Sequence, residues 1–431
     1  MSLLIKNGRV IDPANNVDDV LDILISGGKI EKAGKNLTDK SAEVIDASGK
    51  IVAPGFVDMH AHLREPGRED EETVATGTRA AIRGGYTSIV CMPNTEPAID
   101  RPEVARAVKD IIKKDASCNV YVAGAITQNR EGKALSDIEG MKKEGVVAIT
   151  DDGSCVGDKN MMMDALRAAK KAGLLVMDHC EDPKLSRQGV MNRGFAATKT
   201  GLRGIPREAE YEMVKRDIEL AKKLGARIHI AHVSCAESVE LIRQAKRDRI
   251  AITAETAPHY FSLTEECCAS YDTNTKMNPP LRSSGDVGAI KRGLADGTID
   301  AIATDHAPHT DSEKDVEFDL APFGIIGLET ALGLAVTELV DKNILSWPQL
   351  ITRMSAAPAR ILGIAAGSLK SGSPADIVVI DPDKKYVYKK EAVESKSRNS
   401  PFINWELKAG ILIMFVKGVR PLVGQKGSDP F

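Results

Sequence analysis

Residues 51–62 read IVAPGFVDMHAH, an apolar strand that finishes in two histidines separated by one residue. Side chains alternate across a strand, so His60 and His62 project to the same side. Seven further runs have the same build, apolar and then abruptly polar: TSIVCMPN (87–94), NVYVAGAIT (119–127), VVAITDDG (146–153), LLVMDHC (174–180), RIHIAHVS (227–234), IAITAETAPHY (250–260) and DAIATDHAPH (300–309). Between them lie stretches with helical spacing and charge, such as DEETVATGTRAAIRGG (70–85), PREAEYEMVKRDIELAKKLG (206–225) and AESVELIRQAKRD (236–248). Eight strands alternating with helices predict a (β/α)8 TIM-like barrel, in which chemistry sits at the C-terminal ends of the strands. The G-x-G-x-x-G turn often found in a doubly wound sheet is absent after the first strand.

Outward from this middle, the texture changes at both ends. LLIKNGRVID (3–12), DILISGGKIEKAG (22–34) and AEVIDASGKIVAPG (42–55) are short strands broken by Gly and Asn turns. The same pattern returns in ADIVVIDPD (375–383), KKYVYKK (384–390) and ILIMFVKGVRPLV (411–423). The expected organisation is a composite β-sandwich module made of residues 1–54 and 365–431, flanking a barrel domain over 55–364.

Composition narrows the function. With 58 basic against 61 acidic residues the 431-residue chain carries a net charge of -3, which gives no footing for a nucleic-acid partner and favours a small local ligand. The seven cysteines are scattered without a C-x-x-C pair, so they read as reduced thiols of a cytoplasmic protein. The N-terminus lacks a basic head followed by a long apolar run, and no stretch approaches the roughly 18 apolar residues of a membrane span.

The eight histidines, at 60, 62, 179, 229, 232, 259, 306 and 309, all lie in or at the end of a proposed strand. His179 ends the fifth, His232 the sixth, and Asp305 the eighth, so with His60 and His62 four imidazoles and a carboxylate converge on one face. That donor set suits Zn2+ better than Mn2+, Co2+ or Fe2+. The fourth strand ends in Asp151 and Asp152, of which one should face inward and could bridge two metals. His229, three before His232, falls off the period-two face and reads as a core or supporting residue. His306 reads as supporting, and His259 stays open.

The segments DMHAHLREPG (58–67), CMPNTEP (91–97), TDDGS (150–154), MDHCED (177–182), GIPREAE (204–210), HIAHVS (229–234), KMNPPLR (276–282), GTIDAIATDHAPH (297–309), APFGIIGLET (321–330) and PFINWELKAG (401–410) resemble the successive motifs of the dihydroorotases of the amidohydrolase superfamily, over nearly the whole chain. The resemblance implies that His60, His62, Asp152, His179, His232 and Asp305 hold one or two Zn2+. Asp152 would stand where many relatives have a carboxylated lysine. It also implies that His62, Arg64, Asn94, Asn278, His309 and the backbone of Phe323 and Gly324 hold the substrate, with Arg64 as a planar fork for its free carboxylate. The implied reaction is the reversible cyclisation of N-carbamoyl-L-aspartate to L-dihydroorotate in pyrimidine synthesis, by a metal-hydroxide mechanism with Asp305 as proton shuttle. Synthesis is then expected to be favoured at lower pH. Residues 310–324, TDSEKDVEFDLAPFG, are acidic and poor in apolar periodicity and read as a mobile lid. Hydantoinase, dihydropyrimidinase and allantoinase are the neighbouring activities. A non-catalytic partner subunit of aspartate transcarbamoylase is disfavoured by the full ligand set, while a homodimer or a complex with aspartate transcarbamoylase remains compatible with the resemblance.

Overall fold

The computed structural model describes residues 2–421; residue 1 and residues 422–431, the outer tips of the expected sandwich module, lie outside the described residues. Five strands open the chain: β1 (Ser2–Asp12), β2 (Val17–Ser26), β3 (Lys29–Gly34), β4 (Glu43–Asp46) and β5 (Ile51–Pro54). β1 pairs antiparallel with β2, which pairs with β3. The β1 register to β2 slips between Ile5 and Gly8; residues before the slip pair parallel with β4 and residues after it with β5. Only glycine serves at this close approach, since a Cβ on Gly8 would lie 2.4 Å from Val52 Cγ2.

The barrel follows. Its strands are β6 (Phe56–Ala61), β7 (Tyr86–Cys91), β8 (Asn119–Gly124), β9 (Ala148–Ile149) and β10 (Leu175–Asp178), then, beyond a small outlying pair β11 (Met191–Asn192) and β12 (Gly204–Ile205), β13 (Ile228–Ile230), β14 (Ile252–Thr256) and β15 (Ala301–Ile302). They form one parallel eight-stranded sheet in the order β15-β14-β13-β10-β9-β8-β7-β6. The ends meet at the mouth, where His62 N donates to His306 O at 2.8 Å and Thr304 N to Asp58 Oδ1 at 3.0 Å. The chain is thus a near-closed TIM barrel with a sheet domain built from both chain ends.

Alternation sorts the strand residues. Val57, Met59, Val90, Met92, Ala123, Ala148, Leu175, Met177, Ala301 and Ala303 pack together inside the barrel, with Ala359, Ile361 and Leu362 closing the bottom. Their outward neighbours, among them Phe56, Ile89, Val122, Ile149, Val176, Ile228, Ile230 and Ile302, meet the helices in the main core. Phe56 is fully buried, its ring 5.7 Å from that of Tyr86 at a steep angle. Phe56→Ala should cost about 3–5 kcal/mol of stability, read as a lowered thermal or denaturant midpoint; a midpoint equal to that of the parent would contradict this packing.

β16 (Ile377–Val387) and β17 (Glu406–Phe415) return to the first module, giving the order β17-β16-β5-β1-β2-β3 with β4 beside β1. A separate apolar core, including Ile5, Val10, Ile23, Ile25, Val52, Ile377, Val379 and Phe415, joins residues from both chain ends. Residues 388–404, between β16 and β17, leave this module and lie against the barrel mouth: Asn399 Nδ2 donates to Ala307 O and Gly324 O, both at 3.1 Å. All seven cysteines are free, and no described helix is long and apolar enough to cross a membrane.

Candidate metal centre and substrate cavity

Unbroken alternation would carry three of the four expected imidazoles away from the mouth. Val57 and Met59 fill the interior, so His60 and His62 should both turn outward, yet the register of β6 to β7 shifts between Asp58 and Ala61 and both rings enter the mouth. Likewise Ile228 and Ile230 face the helices, so His229 is the inward residue of β13, and His232 reaches the mouth through a left-handed backbone at φ 33°. Asp305 (φ 49°) and Arg64 (φ 61°) are left-handed as well. Non-glycine residues hold such conformations only where the surroundings impose them, and here all three line the same cavity.

Asp152 is the hub. Its Oδ1 lies 3.2 Å from His60 Nε2, 3.3 Å from His232 Nε2 and 3.6 Å from His179 Nδ1, and its Oδ2 lies 3.3 Å from His62 Nε2. Asp305 Oδ1 is 3.3 Å from His62 Nε2 and 3.5 Å from His60 Nε2. Burial would raise both carboxyls, but the imidazoles outweigh it; Asp152 is held well below the usual carboxylate range, and Asp305 at about 2. Asp151 faces away, accepting from Ile126 N at 2.8 Å, Thr127 N at 3.0 Å and the Thr127 hydroxyl.

These separations carry a geometric message. Ligand atoms about 2.0–2.1 Å from a tetrahedral ion stand roughly 3.3 Å apart, the spacing found here. His60 Nε2, fully buried and aimed at both carboxylates, has no hydrogen-bond partner. His60, His62 and Asp305 form one ligand group and His60, Asp152 and His232 another, with His179 Nδ1 2.8 Å from His232 Nε2. The donor set therefore fits one or two divalent metal ions.

Three of the four rings are aimed from behind, as metal-binding histidines usually are, while the buried Nδ1 of His232 has no hydrogen-bond partner. His60 Nδ1 meets Glu255 Oε1 at 3.0 Å, His62 Nδ1 meets Asn94 Oδ1 at 2.8 Å, and His179 Nε2 meets Glu181 Oε2 at 3.1 Å. Glu255 Oε2 also lies 3.2 Å from His229 Nε2, which places His229 one layer below the centre. His306 is structural, with Nε2 3.3 Å from Glu72 Oε2 and Nδ1 accepting Gly327 N at 3.1 Å. His259 is buried against Tyr260, and burial pushes its pKa down to about 4.

A cavity of about 210 Å³ opens above the ligands, and every expected substrate residue lines it: His62, Arg64, Asn94, Asn278, His309, Phe323 and Gly324. Gly324 has φ 123°, and a Cβ there would lie 2.6 Å from that of Ala307, so the backbone can approach the cavity only as glycine. Its N–H is spent on Lys276 O at 2.9 Å and its carbonyl accepts from Asn399.

Residues 310–324, expected as a mobile lid, are tied down. Thr310 caps a short helix at Asp311–Lys314, Phe318 is buried, and two lysines grip main-chain carbonyls: Lys314 Nζ those of Thr273 (3.0 Å) and Pro322 (2.8 Å), Lys276 Nζ those of Phe318 (2.8 Å) and Asp319 (3.1 Å). The acidic sequence hides these anchors, because the lysines bind backbone rather than side-chain carboxylates.

Sequence reading missed Glu255, Glu181, Glu71 and Asn399. Glu255 had a signal, an acidic side chain at an inward position of an apolar strand. Asn399 had none, since it lies outside the barrel span.

A family model described as Dihydro-orotase-like matches residues 49–238. A dihydroorotase of Elusimicrobium minutum is 53% identical over 97% of this chain and 97% of its own length. One from Pelotomaculum thermopropionicum is 54% identical over 93% of this chain and 94% of its own. Among solved structures, the L-hydantoinase (dihydropyrimidinase) of Arthrobacter aurescens superposes with a TM-score of 0.89 at 25% identity, covering 97% of this chain and 95% of that one. Dihydropyrimidinase of Brevibacillus agri gives 0.86 at 26% identity, with the same coverage.

Proposed function

The chain belongs to the dihydroorotase family, and on that premise we propose how this cyclic amide hydrolase carries out the reversible closure of N-carbamoyl-L-aspartate to L-dihydroorotate at its barrel mouth. The observation that carries the reading is the set of metal-spaced donors around Asp152 directly beneath a cavity that presents Arg64. His60, His62 and Asp305 would hold one Zn2+, His179 and His232 a second, with Asp152 between them. Bound there, such ions supply a water of lowered pKa and a Lewis acid for the reacting carbonyl oxygen.

The chain's own groups do the rest. Arg64 and His309 hold the free carboxylate, and Asn94 and Asn278 reach the ring, against which the backbone at Phe323 and Gly324 packs. In ring closure the ureido nitrogen bonds to the side-chain carboxyl carbon, and one carboxyl oxygen departs as water. Asp305 takes the nitrogen's proton and delivers it to the departing oxygen; ring opening runs the same relay backwards. A dianion and one proton become a monoanion and water, so closure should gain about tenfold over opening per unit fall in pH near neutrality. Initial rates in both directions across pH 6–9 check this, and profiles that run parallel would sink it.

Arg64→Lys keeps the charge but loses the planar fork. Its expected result is a KM for dihydroorotate raised about 10- to 100-fold with a smaller change in kcat, since a charge-assisted pair contributes ~1.5–3 kcal/mol. An unchanged KM would remove Arg64 from carboxylate binding. The likeness to hydantoinases supports a second reading, a cyclic amidase of rings without the carboxylate, and Arg64 in the cavity weighs against it. The deciding experiment is elemental analysis on the sample assayed for both directions of the dihydroorotate reaction and for hydantoin. Zinc with both dihydroorotate activities supports the first reading, and turnover of hydantoin alone the second.

A further inference from the structure

Two groups assigned to the substrate carboxylate, Arg64 and His309, share one buried partner. Glu71 is 1% exposed and sits just before the helix Val74–Arg83. Its Oε2 lies 3.0 Å from Arg64 Nε and its Oε1 2.7 Å from His309 Nδ1. We propose that Glu71 is the positioning residue that sets the preference of this site for a ring bearing a free carboxylate. The proposal rests on the reading of the site as a dihydroorotase.

A guanidinium has two usable edges, and an edge already engaged leaves the other to a ligand. Arg64 spends its Nε on Glu71 and on Pro308 O at 3.2 Å, so its terminal nitrogens are turned towards the cavity, where Nη2 lies 3.4 Å from His309 Nε2. The same carboxylate holds Nδ1 of His309, so that Nε2 is turned towards the cavity, where it meets Phe323 O at 2.8 Å. Two side chains 245 residues apart in sequence are thereby fixed relative to each other by one group.

Glu71 is itself clamped through its main chain. Its N–H donates to Arg68 O at 3.0 Å and its carbonyl accepts from Ser397 Oγ at 2.6 Å. Arg68 lies 3.3 Å from Glu71 Oε1 but is matched on its outer side by Asp70 at 3.0 Å and Glu313 at 2.6 Å. The charge of Glu71 is therefore directed mainly at Arg64 and His309. Neither donor to Glu71 is a member of the ligand set around Asp152, so the effect of losing it should fall on recognition and spare the metal centre.

The test is Glu71→Gln, which keeps the volume but places a donor against one of two donors. The metal-loaded variant is compared with the parent in dihydroorotate turnover and in competitive inhibition by orotate, the planar ring with the same carboxylate. The expected result is KM and the orotate inhibition constant both raised about tenfold or more, with kcat within about threefold and metal content unchanged. Glu71→Asp, which keeps the charge but withdraws it by one methylene, should show the same split to a smaller extent, and it decides the matter if the glutamine variant does not fold. Unchanged KM, a fall in kcat with KM unmoved, or failure of both variants to fold would each overturn the proposal. A parent enzyme without dihydroorotate turnover overturns the proposed function itself, whereas an active parent with an indifferent Glu71→Gln overturns only the role of Glu71.

Discussion

Asp305→Asn is expected to lower kcat for ring opening and ring closure alike by about 10³-fold or more. The substitution changes size by almost nothing and removes two functions at once. A carboxamide cannot take up and return a proton, a loss that alone typically costs about 10²- to 10⁴-fold. It also withdraws the anion that sits 3.3–3.5 Å from His62 and His60. Those imidazoles hold the Asp305 carboxyl at about 2 against the opposing effect of burial, so at neutral pH it is ionised. Steady-state rates in both directions, taken with metal content on the same sample, separate the two losses. Full metal occupancy with lost activity isolates the proton relay; a variant within tenfold of the parent would remove Asp305 from the chemistry.

Stripping the metal should be equally severe. Dialysis against a strong chelator is expected to reduce activity below about 1% of the starting value, and added Zn2+ to restore it. The apoprotein should also melt at a lower temperature. Four imidazoles and two carboxylates converge in a buried pocket, and an ion that binds only the folded state contributes about 4 kcal/mol when present at a thousand times its Kd. Chelation that leaves activity and melting unchanged would mean that the donors around Asp152 form a hydrogen-bonded cluster and not a metal centre.

Much of the centre was legible because its donors sit at strand ends. The polar residues that close DMHAH, TDDG, MDHC, HIAH and ATDH are local features, and the barrel collects them at one mouth whatever the details of its packing. The same residues made the family resemblance visible along nearly the full length. The choice of Asp152 over Asp151 came only from that resemblance. In the structure Asp152 lies among the imidazoles, while the N–H and hydroxyl groups of Thr127 and its neighbour turn Asp151 away.

The phase of the strands was less legible. Period-two alternation places His60 and His62 on one side but does not say which, and it makes His229 the outward residue when His232 is taken as inward. The structure has His229 inward, 3.2 Å from Glu255 beneath the centre, with His232 brought to the mouth by a left-handed turn. The lid shows the same limit: buried Lys276 and Lys314 fasten an acidic loop through its carbonyls, and no side-chain pattern records a bond to the main chain.

By itself, then, the sequence determined the alternation of strands and helices, the β-rich texture of the two ends and the gathering of imidazoles and carboxylates at the strand ends, all of which follow from residue type and short-range periodicity. Tertiary structure alone decided what aims those ligands. Glu255 meets His60 across 195 positions, Glu71 meets His309 across 238, and Asn399 reaches the mouth from a segment read as part of another module. The physical reason is that an orienting bond depends on barrel closure and on register shifts of a single residue, which turn a side chain from one face to the other without altering the composition that a sequence displays.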